Sequence, residues 1–306
     1  MGKKSTIILI IAITVVLAGY IILDMTGRKP GNEVTSDGTE QPEVVDQWAV
    51  SNVLEPGLGK LSAVSNSASG RVYVGGDSFV AAYTPDLQHI WTLSTGKPVT
   101  ALSSPGDTVY ASTLETILVI SGDGRLISEW GPFEDEAIIT SVTSNENYVA
   151  FADAGNRLVI VLDKAGSLRK LVGNTGEAFI IPSPHFDVAL TEDDLLFVTN
   201  PGNSRVEKRN LEGTIIWQFG DPGIKPGEFS GCCNPSNFAL IPGGFVTAEK
   251  GINRLEIIDS DGEFREMVSS DNNFRPSIPL DVASNDGSII YAVNPADSKL
   301  YVFNRK

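Results

Sequence analysis

From residue 44 onward the chain is a succession of short apolar runs separated by Gly, Asn and Asp. The stretch from Asp187 to Phe219 shows the unit. Asp187-Val188-Ala189-Leu190 predicts a first strand and Leu195-Leu196-Phe197-Val198 a second. The alternating Arg205 to Arg209 predicts a third, and Thr214 to Phe219 a fourth, with Gly and Asn marking the turns. The amino terminus has a different pattern. Ser5 to Leu23 contains no charged residue and follows Lys3 and Lys4. As a helix, a run of that length spans about the 30 Å of a bilayer's hydrocarbon core.

The four-strand unit recurs. Turn glycines at Gly124, Gly166, Gly213 and Gly262 are spaced by 42, 47 and 49 residues. A basic residue before an aliphatic strand recurs as Arg157, Arg205, Arg254 and Lys299, at spacings of 48, 49 and 45. Two independent markers with one period define a repeat, and four short strands per repeat of about 45 residues make one propeller blade. Blades are expected near Gly59–Ser94, Pro98–Gly131, Ala137–Gly173, Pro184–Gly220, Asn234–Ser269 and Ile278–Phe303. The last ends after its third strand, Tyr301-Val302-Phe303. The segment Val44 to Leu54, with Trp48, is the expected source of the missing strand, which would close the ring and leave no open edge. The fold class is therefore all-β, a six-bladed β-propeller of four-stranded blades, preceded by one transmembrane helix.

Residues 1–23 read as a signal anchor, 24–43 as a flexible linker rich in Gly, Thr, Glu, Asp and Pro, and 44–306 as the propeller. A cleaved signal peptide is the rival reading of the anchor. Its apolar region is normally shorter, and Ala18-Gly19-Tyr20-Ile21-Ile22 is a weak cleavage site. The lysines at the start place the amino terminus in the cytoplasm. The propeller then faces outward, in a periplasmic or extracellular compartment, on a single-pass membrane protein.

Blades four and five carry a resemblance. Asn200-Pro201-Gly202-Asn203-Ser204-Arg205-Val206 resembles the Gly-Asn-x-Arg-Val element of NHL repeats, and Gly251-Ile252-Asn253-Arg254-Leu255 repeats it. Gly220-Asp221-Pro222-Gly223 to Pro226-Gly227-Glu228-Phe229 is similar to that family's inter-blade glycine loop. The resemblance covers roughly residues 45–306, with blades one and two degenerate. It implies that the loops leading into the innermost strands share one face with those joining second to third strands, around a central channel. It does not fix the chemistry, because the family includes binding modules, sensor domains and lyases.

Composition narrows the functions. The formal net charge of −15 repels phosphate backbones, so nucleic acid is not an expected partner. The chain has two cysteines and two histidines, too few for a histidine-rich metal site. It has no nucleophile elbow, phosphate loop or dinucleotide fingerprint.

The candidate site lies on the implied channel face. Cys232 and Cys233, with Asn234, sit in an extended loop before the innermost strand of blade five. Adjacent Cα atoms lie about 3.8 Å apart, whereas ordinary disulfides want roughly 4.4–6.8 Å. Three readings of the pair stay open: a vicinal disulfide, two packed thiols, or a thiolate site for a soft metal. Glu249 and Lys250 replace the neutral turn around Asn200, either as a surface ion pair or as a ligand-binding or acid–base pair. Asp187, Asn237 and Asp281 recur where innermost strands begin. They either cap backbone groups or ring the channel mouth as ligands for Ca²⁺ or another divalent ion. His185, beside Asp187, is a packed loop residue or a base.

These features order three functions. The first is a membrane-tethered binding or scaffold protein offering its channel face to a protein, peptide or glycan. The second is a metal-assisted lyase or hydrolase with Glu249 or His185 as base. The third is a redox accessory protein using the cysteine pair.

Overall fold

The second and third strands of most repeats are largely apolar because both of their faces are covered, the third strand of blade four, Arg205–Arg209, being the clearest exception. In the first blade, Val72–Gly76 and Phe79–Tyr83 are buried throughout. Val72, Val74 and Ala81 pack against Tyr291, Val293 and Leu300 of the last blade. The intervening Tyr73, Val80 and Ala82 pack against Val99, Leu102 and Val109 of the second blade. Side chains that alternate across a sheet thus meet a neighbouring blade on either side. The outermost strands, such as Leu126–Trp130, carry exposed and half-buried positions instead.

The computed structural model describes residues 45–270, 273–275 and 277–306. The predicted anchor, 1–23, and linker, 24–43, lie outside the described residues. Among those described, no helix is long and apolar enough to cross a membrane.

The strands form six antiparallel sheets of four. Their innermost members are Leu61–Asn66, Ala101–Ser103, Ile139–Ser144, Val188–Leu190, Asn237–Ile241 and Asp281–Ala283. Each touches the next around the axis, and the last touches the first. The ring is closed as the incomplete last repeat requires. Trp48–Leu54 pairs antiparallel with Lys299–Arg305 and forms the outermost strand of the sixth blade. Trp48 is buried, its indole N–H donates to Glu266 Oε2 at 3.0 Å, and the Arg305 guanidinium lies 5.2 Å from its ring centroid. One residue earlier, the Gln47 N–H donates to the Met267 carbonyl, so the closing strand also grips blade five.

The periodic glycines share positive-φ backbone, and at Gly124, Gly166 and Gly262 a steric contact is added. Gly124 and Gly166 adopt φ of 86° and 83°, in the left-handed region that glycine tolerates best. A Cβ on Gly124 would lie 2.6 Å from the Trp91 ring, and one on Gly166 would lie 2.7 Å from Trp130. Each turn therefore lies under a tryptophan of the preceding blade. The basic marker is less uniform. Arg254 enters a buried ion pair, half-buried Arg205 pairs with buried Glu207, and Lys299 pairs with exposed Glu55, but Arg157 is exposed, in left-handed backbone at φ 58°.

Candidate functional site

Two cavities share the propeller axis. One, of about 450 Å³, opens where the innermost strands begin and is lined by Val99, Leu114, Ile138, Pro184, His185 and Pro279 among others. The other, of about 210 Å³, runs along those strands toward their far ends. Both reach Thr140, Asn237 and Asp281, while Asp187 lines only the second.

The recurring polar residues at the strand starts hold the seams between blades. Asp187 Oδ2 accepts the Phe238 N–H of the next blade at 2.7 Å. Its Oδ1 accepts from Ser141 Oγ of the preceding blade at 2.5 Å and from the Val188 N–H at 2.9 Å. Asn237 Nδ2 donates to the Leu280 carbonyl at 2.7 Å, and Asp281 Oδ2 accepts the Val64 N–H at 2.7 Å. These three residues thus clasp three consecutive seams, from blade four to blade one. Desolvation pushes Asp187 up to about 6. It pushes Asp281 up to about 8, helped by the charge of Asp187. No cluster of three His, Cys, Asp or Glu side chains converges as a metal site among the described residues. The hydrogen-bonded geometry of Asp187 fits a clasp better than a ligand for a hard cation.

Glu249 has a comparable duty. It is buried, its Oε1 accepts from Arg254 Nη2 at 2.6 Å and Nε at 2.8 Å, and its Oε2 accepts the Ser230 N–H at 2.7 Å. The same task recurs in other blades. Asp77 accepts the Lys60 N–H, Asp153 the Ile138 N–H, and Asn200 the Ile180 N–H. In these four blades a side chain at the end of the second strand, or just beyond it, holds the loop that leads into the first. Asn200 also donates to Glu207 Oε1 at 2.8 Å. Glu249 is therefore paired with Arg254 in the interior, not with its sequence neighbour Lys250 at the surface.

Lys250 belongs to a different group. Asn234 binds its backbone twice, accepting its N–H at 2.8 Å and donating to its carbonyl at 2.9 Å, and donates also to the Ser230 carbonyl at 2.6 Å. This fastens the cysteine loop to the Lys250 turn. The Lys250 ammonium donates to Ser183 Oγ at 3.2 Å. Cys232 is exposed and Cys233 buried, both as free thiols, with their sulfurs 3.1 Å apart. Burial opposes ionisation of Cys233, but the Ser183 hydroxyl, the Cys232 thiol and Lys250 together bring its pKa below the ordinary thiol value. The hydrogen bond to Cys233, and then its charge, push Cys232 the other way. His185 lies close by, half-buried, and burial together with Lys250 pushes its imidazole down to about 4. It is neutral at neutral pH and a weak base.

Ser183 was not expected in this group. It lies 50 residues before Cys233 in the sequence, and only the curvature of the ring brings the two loops together. Its place shortly before His185 and Asp187, in the loop leading into blade four, was the only available signal.

Together these features define a six-bladed β-propeller with four-stranded blades and a polar clasp at successive inner seams. Many solved structures are similar to it. One is a catalytically inactive virginiamycin B lyase from Staphylococcus aureus with quinupristin, at 14% identity and TM-score 0.61, covering 85% of this chain and 100% of that one. A streptogramin B lyase structure matches at 10% identity and TM-score 0.60, over 85% of this chain and 98% of the other. The WD40 β-propeller domain of Doa1 matches at 13% identity and TM-score 0.57, over 80% and 79%. At these identities the likeness is one of fold. No family model and no curated protein matches the sequence.

Proposed function

We propose that this chain is an NHL-type propeller acting as a binding module, which takes a protein or peptide segment at the rim where the innermost strands begin. One observation carries the reading. Asp187 and Asp281 near the axis accept seam hydrogen bonds, while the cavity of about 450 Å³ beside them combines Val99, Leu114, Ile138, Ile139 and four prolines with polar groups such as Lys60, Asp77 and His185. Leu114 and Ile138 are 51% and 37% exposed there. Ligand sites are mostly apolar hollows with a few polar groups, which matches this rim. A glycan is less well served, because no indole or phenol lines the cavity to stack on a sugar face.

The similarity to lyases supplies a fold but no base. Glu249 is held by Arg254 and the Ser230 N–H, and His185 is a weak base. The uncharged run Ser5 to Leu23 supports membrane attachment, with the propeller displayed on the outer side.

A photo-crosslinking residue at Leu114, introduced in the native host, tests the reading. The control is Ile127, 61% exposed on the outermost strand of the same blade. Protein adducts should form from Leu114 and not from Ile127. Equal labelling from both, or none from Leu114, would reject the rim as the binding face.

A further inference from the structure

We propose that Cys232 and Cys233 form a thiol–disulfide exchange site that reduces a low-molecular-weight disulfide and closes reversibly into a vicinal disulfide. The geometry points to it in three ways. The two sulfurs are 3.1 Å apart, within about an ångström of bonding distance. They differ in access, with Cys232 exposed and Cys233 buried beside Lys250 and Ser183. The loop is also fixed in place, because the Asn234 side chain ties it to the Lys250 backbone on both sides of that peptide. Beside the pair, Gly231 has open space where a Cβ would stand, leaving room for an incoming molecule.

The division of labour follows from access, since Cys232 is exposed and Cys233 buried. Cys232 Sγ attacks one sulfur of the incoming disulfide. The S–S bond breaks, and the departing thiolate takes up the proton that Cys232 gives up. Cys233, whose ionisation the Ser183 hydroxyl and Lys250 favour, then loses its proton to solvent and attacks Cys232 Sγ as the thiolate. The second thiolate leaves and is protonated by solvent. Two electrons have passed from the cysteine pair to the disulfide, which is released as two thiols. The lowered pKa of Cys233 agrees with its role as the second nucleophile. Adjacent cysteines cannot reach the roughly 4.4–6.8 Å Cα separation of ordinary disulfides, so the closed form is readily reduced again. The exchange therefore runs both ways, unlike that of a structural disulfide.

The chain has only these two cysteines, so thiol counting on the full-length protein reads the site directly. Reduced, desalted protein is exposed to glutathione disulfide, quenched with N-ethylmaleimide and weighed intact over time. The parent should lose both alkylation sites without retaining glutathione, and dithiothreitol should restore both. Cys233→Ser should stop with one glutathione on Cys232. In Lys250→Met the mixed disulfide should accumulate, with closure slowed on the order of tenfold. Lys250→Arg should restore the parent rate. The proposal is overturned if the parent keeps both alkylation sites, or if it stops as a stable mixed disulfide. Closure at the parent rate in Lys250→Met would overturn the role given to that residue. Rapid glutathionylation of Cys233 in Cys232→Ser would overturn the order of attack.

Discussion

Glu249 and Arg254 form a buried ion pair five residues apart, with Arg254 Nη2 2.6 Å from Glu249 Oε1 and both side chains almost fully excluded from water. Arg254 spends its other donors on the carbonyls of Ile224, Lys225 and Glu228, in the loop between blades four and five. The pair therefore fixes the loop that carries the cysteines. Removing one partner of a buried pair costs about 3–5 kcal/mol, and because Arg254 Nε keeps Glu256 Oε1 at 3.2 Å the lower end, about 3 kcal/mol, applies here. Glu249→Ala should lower unfolding stability by that amount in a denaturant titration. Glu249→Gln, which keeps an acceptor for the Ser230 N–H, should cost less. Unchanged stability in Glu249→Ala would mean that the carboxylate is free for another purpose.

Closure of the ring rests on a few side chains of the first described strand. Trp48 fills the seam between the closing strand and blade five, bonded to Glu266. Trp48→Ala removes a buried indole and should destabilise the propeller by about 3–5 kcal/mol. Proteolysis under native conditions should show that blade six opens first, because its outermost strand is the only one drawn from the opposite end of the chain. Cleavage beginning instead within blade three would contradict this account.

The ring was legible because its evidence is periodic, and the site was not because its evidence is local and three-dimensional. The recurrence of Gly124, Gly166 and Gly262 reflects one steric need, a turn without a side chain against an aromatic residue of the preceding blade, whereas Gly213 has only Val172 nearby. The recurrence of Asp187, Asn237 and Asp281 was visible too. Their shared use, reaching across a seam to the next strand, depends on side-chain direction that spacing does not encode. Lys250 looked like the partner of Glu249 because the two are adjacent. At this turn Glu249 points inward to Arg254, while Lys250 reaches across to Ser183.

Gly166 gives a direct test of the periodic contact. At φ 83° it already occupies backbone that a side chain disfavours, by roughly 1–2 kcal/mol per residue. Its Cβ would also meet the Trp130 ring at 2.7 Å. Gly166→Ala should cost more than the backbone penalty alone, and tryptophan fluorescence should shift as the Trp130 ring is displaced. The same substitution at Gly96, with φ 68° and open space around it, should cost only the backbone part. Equal losses at the two sites would show that the ring contact contributes nothing.

The seam carboxylates predict how stability depends on pH. Burial pushes Asp281 up to about 8 and Asp187 up to about 6. Unfolding returns both to the ordinary aspartate range, near about 4. The folded protein therefore holds these protons more tightly than the unfolded chain. Their contribution is fully present below about pH 4 and is lost as the pH rises through the folded values. Asp281→Asn keeps an oxygen for the Val64 N–H but cannot ionise. Its stability advantage over the parent should grow from about pH 4 to about pH 8 and level off above that, when denaturant midpoints are measured with a chelator present. An advantage that shrinks as the pH rises would reject the buried-acid account. A rise in the parent's midpoint with added Ca²⁺ at about pH 8, absent in Asp281→Asn, would reassign the two carboxylates from seam clasps to cation ligands, because a bound cation stabilises the ionised pair that burial opposes.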